Sequence, residues 1–180
     1  PQSLTVPPNP TTPGPLLEHY IFNGHSFKDH WAFWLPLPAY PTTTGTKLHA
    51  AGDVLISSIF KIKRSYDFRK SADVSTKQLP LQWIETNYFE DEEVVLNAGV
   101  EKIDYAAVCG FERVLEGSLK SVDQSQEDGE LGVMEIGKKG AKGRVVLRDC
   151  QSWDVEAAEV LVKGRILGGD VLEYLRGIRQ

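Results

Sequence analysis

Two cysteines in 180 residues, Cys109 and Cys150, are too few for a disulfide framework in a chain of this length. Reduced thiols in an intracellular, cytoplasmic protein are therefore the expectation. No apolar run approaches the roughly 20 residues a bilayer-crossing helix needs. The opening Pro1-Gln2-Ser3-Leu4 lacks the charged and apolar parts of a secretion signal. A glycine-rich phosphate loop and a metal-type cysteine pair are also missing, which sets aside nucleotide-driven, nicotinamide and zinc chemistry. No cofactor and no metal are expected. Positive charge is scarce as well: 20 Lys and Arg face 25 Asp and Glu, a formal net charge of −5. Such a balance gives no general attraction to nucleic acid or to anionic lipid.

What is present is enough for one core, since a 41% hydrophobic and 25% charged composition at this length suits a single domain. Residues 1–15, PQSLTVPPNPTTPGP, form a proline-rich arm, expected to be extended or disordered because proline fixes φ and removes a donor. Residues 16–180 are read as the domain. LLEHYIF, HWAFWLPL, GTKLHAAG and VLISSIFKIKRSYDF follow in turn, rich in aromatic and β-branched residues and separated by Gly, Pro or Thr. They predict three or four strands of a mostly antiparallel sheet, with LPLQWIET (79–86) as a further short strand. The acidic EDEEVV that follows reads as a solvated turn or helix start. A helix is expected over Asp104–Leu119, with Val108, Phe111, Val114, Leu115 and Leu119 on one face. Residues 121–142, charged and glycine-rich, read as a long loop holding at most a short strand, able to serve as a lid. The clearest helix starts after Asp149 with CQSWDVEAAEVLVK and stops at Gly164, and Asp170–Ile178 forms a last one. The fold class is α+β: a mostly antiparallel sheet packed by helices.

Cys150 falls in the first turn of that helix, where unpaired N–H groups and the positive end of the dipole favour a thiolate. The same donors suit the oxyanion formed when a thiolate attacks a carbonyl. The plainer alternative is a buried cysteine at a helix start. A nucleophilic thiol needs a base, and His19, His25, His30 and His49 all lie in the first third of the chain. His30 and His49 stand out because adjacent strands would bring them together beside Cys150; a lone strand histidine is more often a hydrogen-bonded structural residue. Cys109 reads as a small core residue. Trp31, Trp34 and Trp153 read as core aromatics, with Trp34 the one that could line a pocket. Asp53 reads as a turn residue or a partner of His49, and Lys61, Lys63 and Arg64 as a solvated basic face.

The order HWAFWLP, KLHAAGD, DCQSWDVEAAEVL resembles the circularly permuted NlpC/P60 (papain-like) group, which includes proteins like lecithin:retinol acyltransferase. The resemblance spans roughly residues 20–162. It implies a permuted papain-like fold with Cys150 as nucleophile, His30 as base and His49 as the polar member that orients the base. Asp149, Gln151 and Ser152 depart from the Asn-Cys-Glu-His-Phe pattern of that group, so acyl-lipid specificity does not carry over. HAAGD, KRSYDF and DCQSW also resemble a family of uncharacterised fungal proteins, which implies no substrate.

The function expected on this basis is a thiol hydrolase or acyltransferase acting on an amide, ester or thioester. Its substrate would be a small molecule or an acyl or peptidyl group, with Trp34, Gln151 and Asp53 as candidate substrate-binding residues. Two alternatives stay open: a binding module for a ligand or protein partner on the same scaffold, and a biosynthetic enzyme in which His30 does acid–base chemistry without a covalent step.

Overall fold

A computed structural model describes residues 4–8, 12–24, 28–37, 40–53, 57–70, 75–89, 95–127 and 149–180. Its strands are β1 (Leu16–Phe22), β2 (His30–Leu37), β3 (Tyr40–Asp53), β4 (Ser57–Asp67), β5 (Ser75–Trp83) and β6 (Lys102–Asp104). Its helices are α1 (Gly110–Glu127), α2 (Cys150–Lys163) and α3 (Gly169–Ile178). The fold is α+β: the six strands form one antiparallel sheet in the order β5-β1-β2-β3-β4-β6. Register pairs Phe33 with Leu48 across β2–β3 and His49 with Lys61 across β3–β4.

Because side chains alternate along a strand, each strand serves two faces. Leu17, Trp31, Phe33, Leu48, Phe60 and Ile62 form the face that meets the helices, which contribute Phe111, Leu115, Trp153, Ala157 and Leu161 to the same core. The other face gathers Tyr20, Phe22, Ala32, Trp34 and Tyr66, with Phe68 packed against them. Trp34 stacks on Tyr20 with ring centroids 5.0 Å apart and lies over Gly45. A Cβ at Gly45 would sit 2.6 Å from the Trp34 ring and 2.3 Å from the Leu35 carbonyl oxygen, so only glycine allows this approach.

α2 forms as its sequence dictates. Asp149 is its N-cap: one carboxylate oxygen accepts from Ser152 N and Ser152 Oγ, each at 2.8 Å. The helix ends after Lys163, but the left-handed residue that turns the chain is Arg165 (φ 59), and Gly164 stays right-handed at φ −75. Trp153 Nε1 donates to Ser118 Oγ at 3.1 Å and ties α2 to α1.

Three expectations need correction. α1 starts at Gly110, not Asp104, because Asp104 is drawn into β6 opposite Ile62 and accepts from Arg64 Nε at 2.6 Å. Cys109 thus precedes the helix, fully buried. At its other end α1 runs to Glu127, so the first part of the segment read as a loop is helical; residues 128–142 of that loop, with the short strand and lid suggested there, lie outside the described residues. Arg64 is not solvated. It is 1% exposed, gripped by both Glu112 carboxylate oxygens at 2.7 and 2.9 Å and by the Val95 carbonyl at 2.8 Å. Lys61 and Lys63 are half-buried, and Lys63 Nζ sits over the Tyr66 ring at 4.6 Å. Residues 90–94 of the acidic run and 54–56 before β4 lie outside the described residues. The described part of the proline-rich arm is tied to the end of β5 and the segment after it. Trp83 Nε1 donates to the Pro7 carbonyl, and Ile84 N and Thr86 N to those of Pro15 and Pro13.

Candidate active site

Cys150 is the first residue of α2, and its thiol reaches the start of β2. The β2–β3 ladder runs only as far as Phe33–Leu48. Beyond it, the Trp31 N–H meets Cys150 Sγ at 3.4 Å, and the thiol faces the Asp29 carbonyl at 3.9 Å. The sulfur therefore lies against the backbone on both sides of His30, and both of these contacts are to backbone groups. The helix-start argument predicts an easily ionised thiol, yet burial pushes this one up to about 11. The Trp31 and Gln151 N–H groups oppose that rise, while the Asp154 and Asp149 carboxylates add to it. At that value only about one thiol in ten thousand is ionised at pH 7.

His30 and His49 come from adjacent strands, as expected, and their rings meet on the sheet face away from the helices. His30 Nε2 lies 3.1 Å from His49 Nδ1, with the rings edge-on at 84°. His49 is 7% exposed. Burial, together with Lys47, His30, Lys63 and Lys61, pushes its imidazole down to about 2, so it is neutral at any physiological pH. A neutral imidazole carries one proton, and hydrogen-bond pattern must say where. His49 Nε2 is buried with no partner among the described residues. An unpaired lone pair there costs less than an unpaired N–H, so the resting proton belongs on His49 Nδ1, donated to His30 Nε2.

The proposed substrate contacts fare differently. Trp34 is fully buried in its aromatic cluster and offers no open wall. Gln151 is fully buried too, donating to the Asp29 carbonyl at 2.9 Å and to Gln180 Oε1 at 3.3 Å, and accepting from Gln180 N at 2.9 Å. Its amide joins α2 to the start of β2 and to the segment after α3 instead of facing a cleft. Asp53 pairs with Ser57 at the end of the β3–β4 ladder, and its side chain lies outside the described residues. Among the described residues, no group of three or more His, Cys, Asp or Glu could hold a metal ion. A cavity of about 250 Å³, lined by Pro15, Leu35, Pro36, Phe89 and Leu96 among others, opens toward the other end of β2 from His30.

A pair that the spacing does not single out lies near the thiol. His19 Nε2 is 2.9 Å from Asp154 Oδ2, and both side chains are wholly buried. Asp154 follows Cys150 by one helical turn. The ring of His19 packs edge-on against Trp31, centroids 4.7 Å apart. The one available signal was a carboxylate at i+4 from the cysteine in an otherwise apolar helix face.

Fold and site together define an α+β protein in which one helix start, carrying a thiol, meets a strand pair carrying two bonded imidazoles. Residues 17–168 match a family of unknown function, DUF6540, and the chain belongs to that family. No curated protein and no solved structure matches it significantly. No helix among the described residues is long and apolar enough to cross a membrane.

Proposed function

We propose that the chain is a thiol-dependent hydrolase or acyltransferase on a permuted papain-like scaffold, acting on an amide, ester or thioester inside the cell. One observation carries this reading: the Cys150 thiol rests on the backbone either side of His30 while His30 is bonded to His49. With so little thiolate at neutral pH, reaction depends on proton transfer as the substrate arrives, and a preformed ion pair has no part in it. The His30 ring lies on the face away from the helices and bonds His49, not Sγ, so in this reading substrate binding draws ring and thiol together. His30 then takes the Sγ proton through Nδ1, the sulfur attacks the carbonyl carbon, and the N–H groups at the α2 start serve the developing oxyanion. The leaving amine, alcohol or thiol departs with the proton from His30. Water or an amine then attacks the thioester and restores the thiol.

For His30 Nδ1 to accept, Nε2 must carry the proton and donate it to His49 Nδ1, which moves the His49 proton to its unpartnered Nε2. A buried unpaired N–H costs about 1–3 kcal/mol. The catalytic tautomer is therefore a minor resting form, and an oxygen acceptor arriving at His49 Nε2 would favour it.

A second reading, a ligand- or protein-binding module, is favoured by the neutral thiol whose hydrogen-bond partners are both backbone groups. Brief iodoacetamide treatment across a pH series, read by mass spectrometry, separates the two. Catalysis predicts selective labelling of Cys150 over Cys109 near neutral pH, slowed in His30→Ala. Labelling of Cys150 that ignores His30, or full protection, would refute the covalent mechanism and leave the binding module.

A further inference from the structure

Two carboxylates lie near the Cys150 thiol, and they are not equivalent. Asp149 is partly exposed and bonded to Lys28 Nζ at 2.9 Å, so its charge is largely offset. Asp154 is wholly buried, and its one hydrogen-bond partner among the described residues is His19. Its second oxygen, Oδ1, and the second nitrogen of His19, Nδ1, are buried with no partner among the described residues. An i, i+4 pair on a helix brings Cβ atoms to about 6 Å, so Asp154 lies one turn on from Cys150 on the same side of α2. His19 in turn buttresses Trp31, whose N–H holds the thiol. The pair thus touches the thiol's surroundings from two elements, α2 and β1.

We propose that Asp154, held by His19, is a positioning residue for the Cys150 thiol: its buried charge keeps the sulfur protonated until a base removes the proton. This rests on the reading of Cys150 as the reacting group, and it adds a restraint that the thiol–imidazole arrangement alone would not need. Burial pushes the Asp154 carboxyl up to about 6 despite the hydrogen bond and charge of His19, so above that pH the negative charge is present. The remaining groups around α2 do not duplicate it. β2 and its lead-in bring Asp29 and His30, and β3 brings His49. Arg179, beyond α3, donates to Ser152 Oγ at 2.7 Å, and Glu112 of α1 is bound to Arg64. On its own helix, Asp149 is paired with Lys28.

The test is the pH profile of Cys150 alkylation in the full chain, with Asp154→Asn and Asp154→Glu beside the native protein and Cys109 as an internal reporter of opening. A unit charge about 6 Å away at an effective dielectric near 20 moves a titration by on the order of one to two pH units. Asp154→Asn, which keeps the shape and can still bond His19, should move the Cys150 midpoint down by about one pH unit. Its labelling at neutral pH should rise about three- to tenfold. Asp154→Glu, which disturbs packing but keeps the charge, should not lower the midpoint. Equal shifts in both variants, an unmoved midpoint in Asp154→Asn, or Cys109 labelling as fast as Cys150 would overturn the proposal and leave the pair a fastener between β1 and α2. The His30→Ala profile reads the catalytic proposal separately: a shift in Asp154→Asn with no effect of His30→Ala would retain the restraint and reject the mechanism.

Discussion

Removing Glu112 should expose how much the fold depends on Arg64. In the native chain the guanidinium is 1% exposed and makes four hydrogen bonds: two to Glu112, one to Asp104 and one to the Val95 carbonyl. Glu112 also accepts from Val108 N at 2.8 Å, just before α1. Glu112→Ala leaves the cation with half its bonds and strands the Val108 N–H. Breaking a buried ion pair from one side costs about 3–5 kcal/mol when the remaining charge is left uncompensated; Asp104 still pairs with Arg64, so a loss near the lower end is expected. For a chain of this length each kcal/mol moves the melting midpoint by about 2–4 °C, so a fall of about 10 °C is expected. Calorimetry or denaturant unfolding of Glu112→Ala, Arg64→Met and the double variant measures it. The double variant should be distinctly less destabilised than the sum of the singles. A single-variant loss below about 1 kcal/mol, or strict additivity, would refute the account of Arg64 as a buried charge dependent on Glu112.

Gly45→Val should destabilise by about 2 kcal/mol or more, since its side chain would collide with the Trp34 ring and the Leu35 carbonyl; denaturant midpoints against Gly117→Val, where a Cβ meets nothing within 4 Å, give a reference free of any clash. Asp149→Ala should cost about 1 kcal/mol at neutral pH through the lost N-cap. Burial works to raise that carboxyl, but hydrogen bonds from Lys28 and Ser152 hold it below the usual range. Its contribution is therefore fully present above the ordinary carboxylate pKa and is lost as pH falls through the lower folded value, so the gap between variant and native should close in acid. His49 should give imidazole proton resonances that do not titrate between pH 8 and 5; a midpoint near 6.5 would show that the ring is solvated and its pairing with His30 loose.

The sheet was largely legible because its signals are local. β1 and β2 have the bounds that alternation and the flanking Gly and Pro predict, and the Asp149 cap marks α2 to the residue. His30 and His49 were expected to meet from adjacent strands, and their rings do. What escaped depends on partners far along the chain. Arg64 looks solvated until Asp104 and Glu112, 40 and 48 residues on, close around it. His19 and Asp154 are 135 residues apart, and nothing nearby announces either as half of a pair. Three-residue β6 is too short to carry a pattern, and its pairing with β4 converts the expected start of a helix into a strand. The acidity of Cys150 was misjudged for a related reason: the helix start is a local feature, whereas the burial that outweighs it arises only once the chain is packed.

The two rim strands, β5 and β6, bear on how the sheet meets other chains. An open rim of backbone donors and acceptors is a template for strand addition and aggregation. β5 is one rim, yet it carries Pro80, which has no N–H to offer. Just past its end, the Ile84 and Thr86 donors meet the Pro15 and Pro13 carbonyls, which prolong the β1–β5 ladder on its inner side and leave the outer rim to Pro80. The opposite rim, β6, is three residues long. The sheet is therefore blunted on both sides, by a proline in one rim strand and by the shortness of the other.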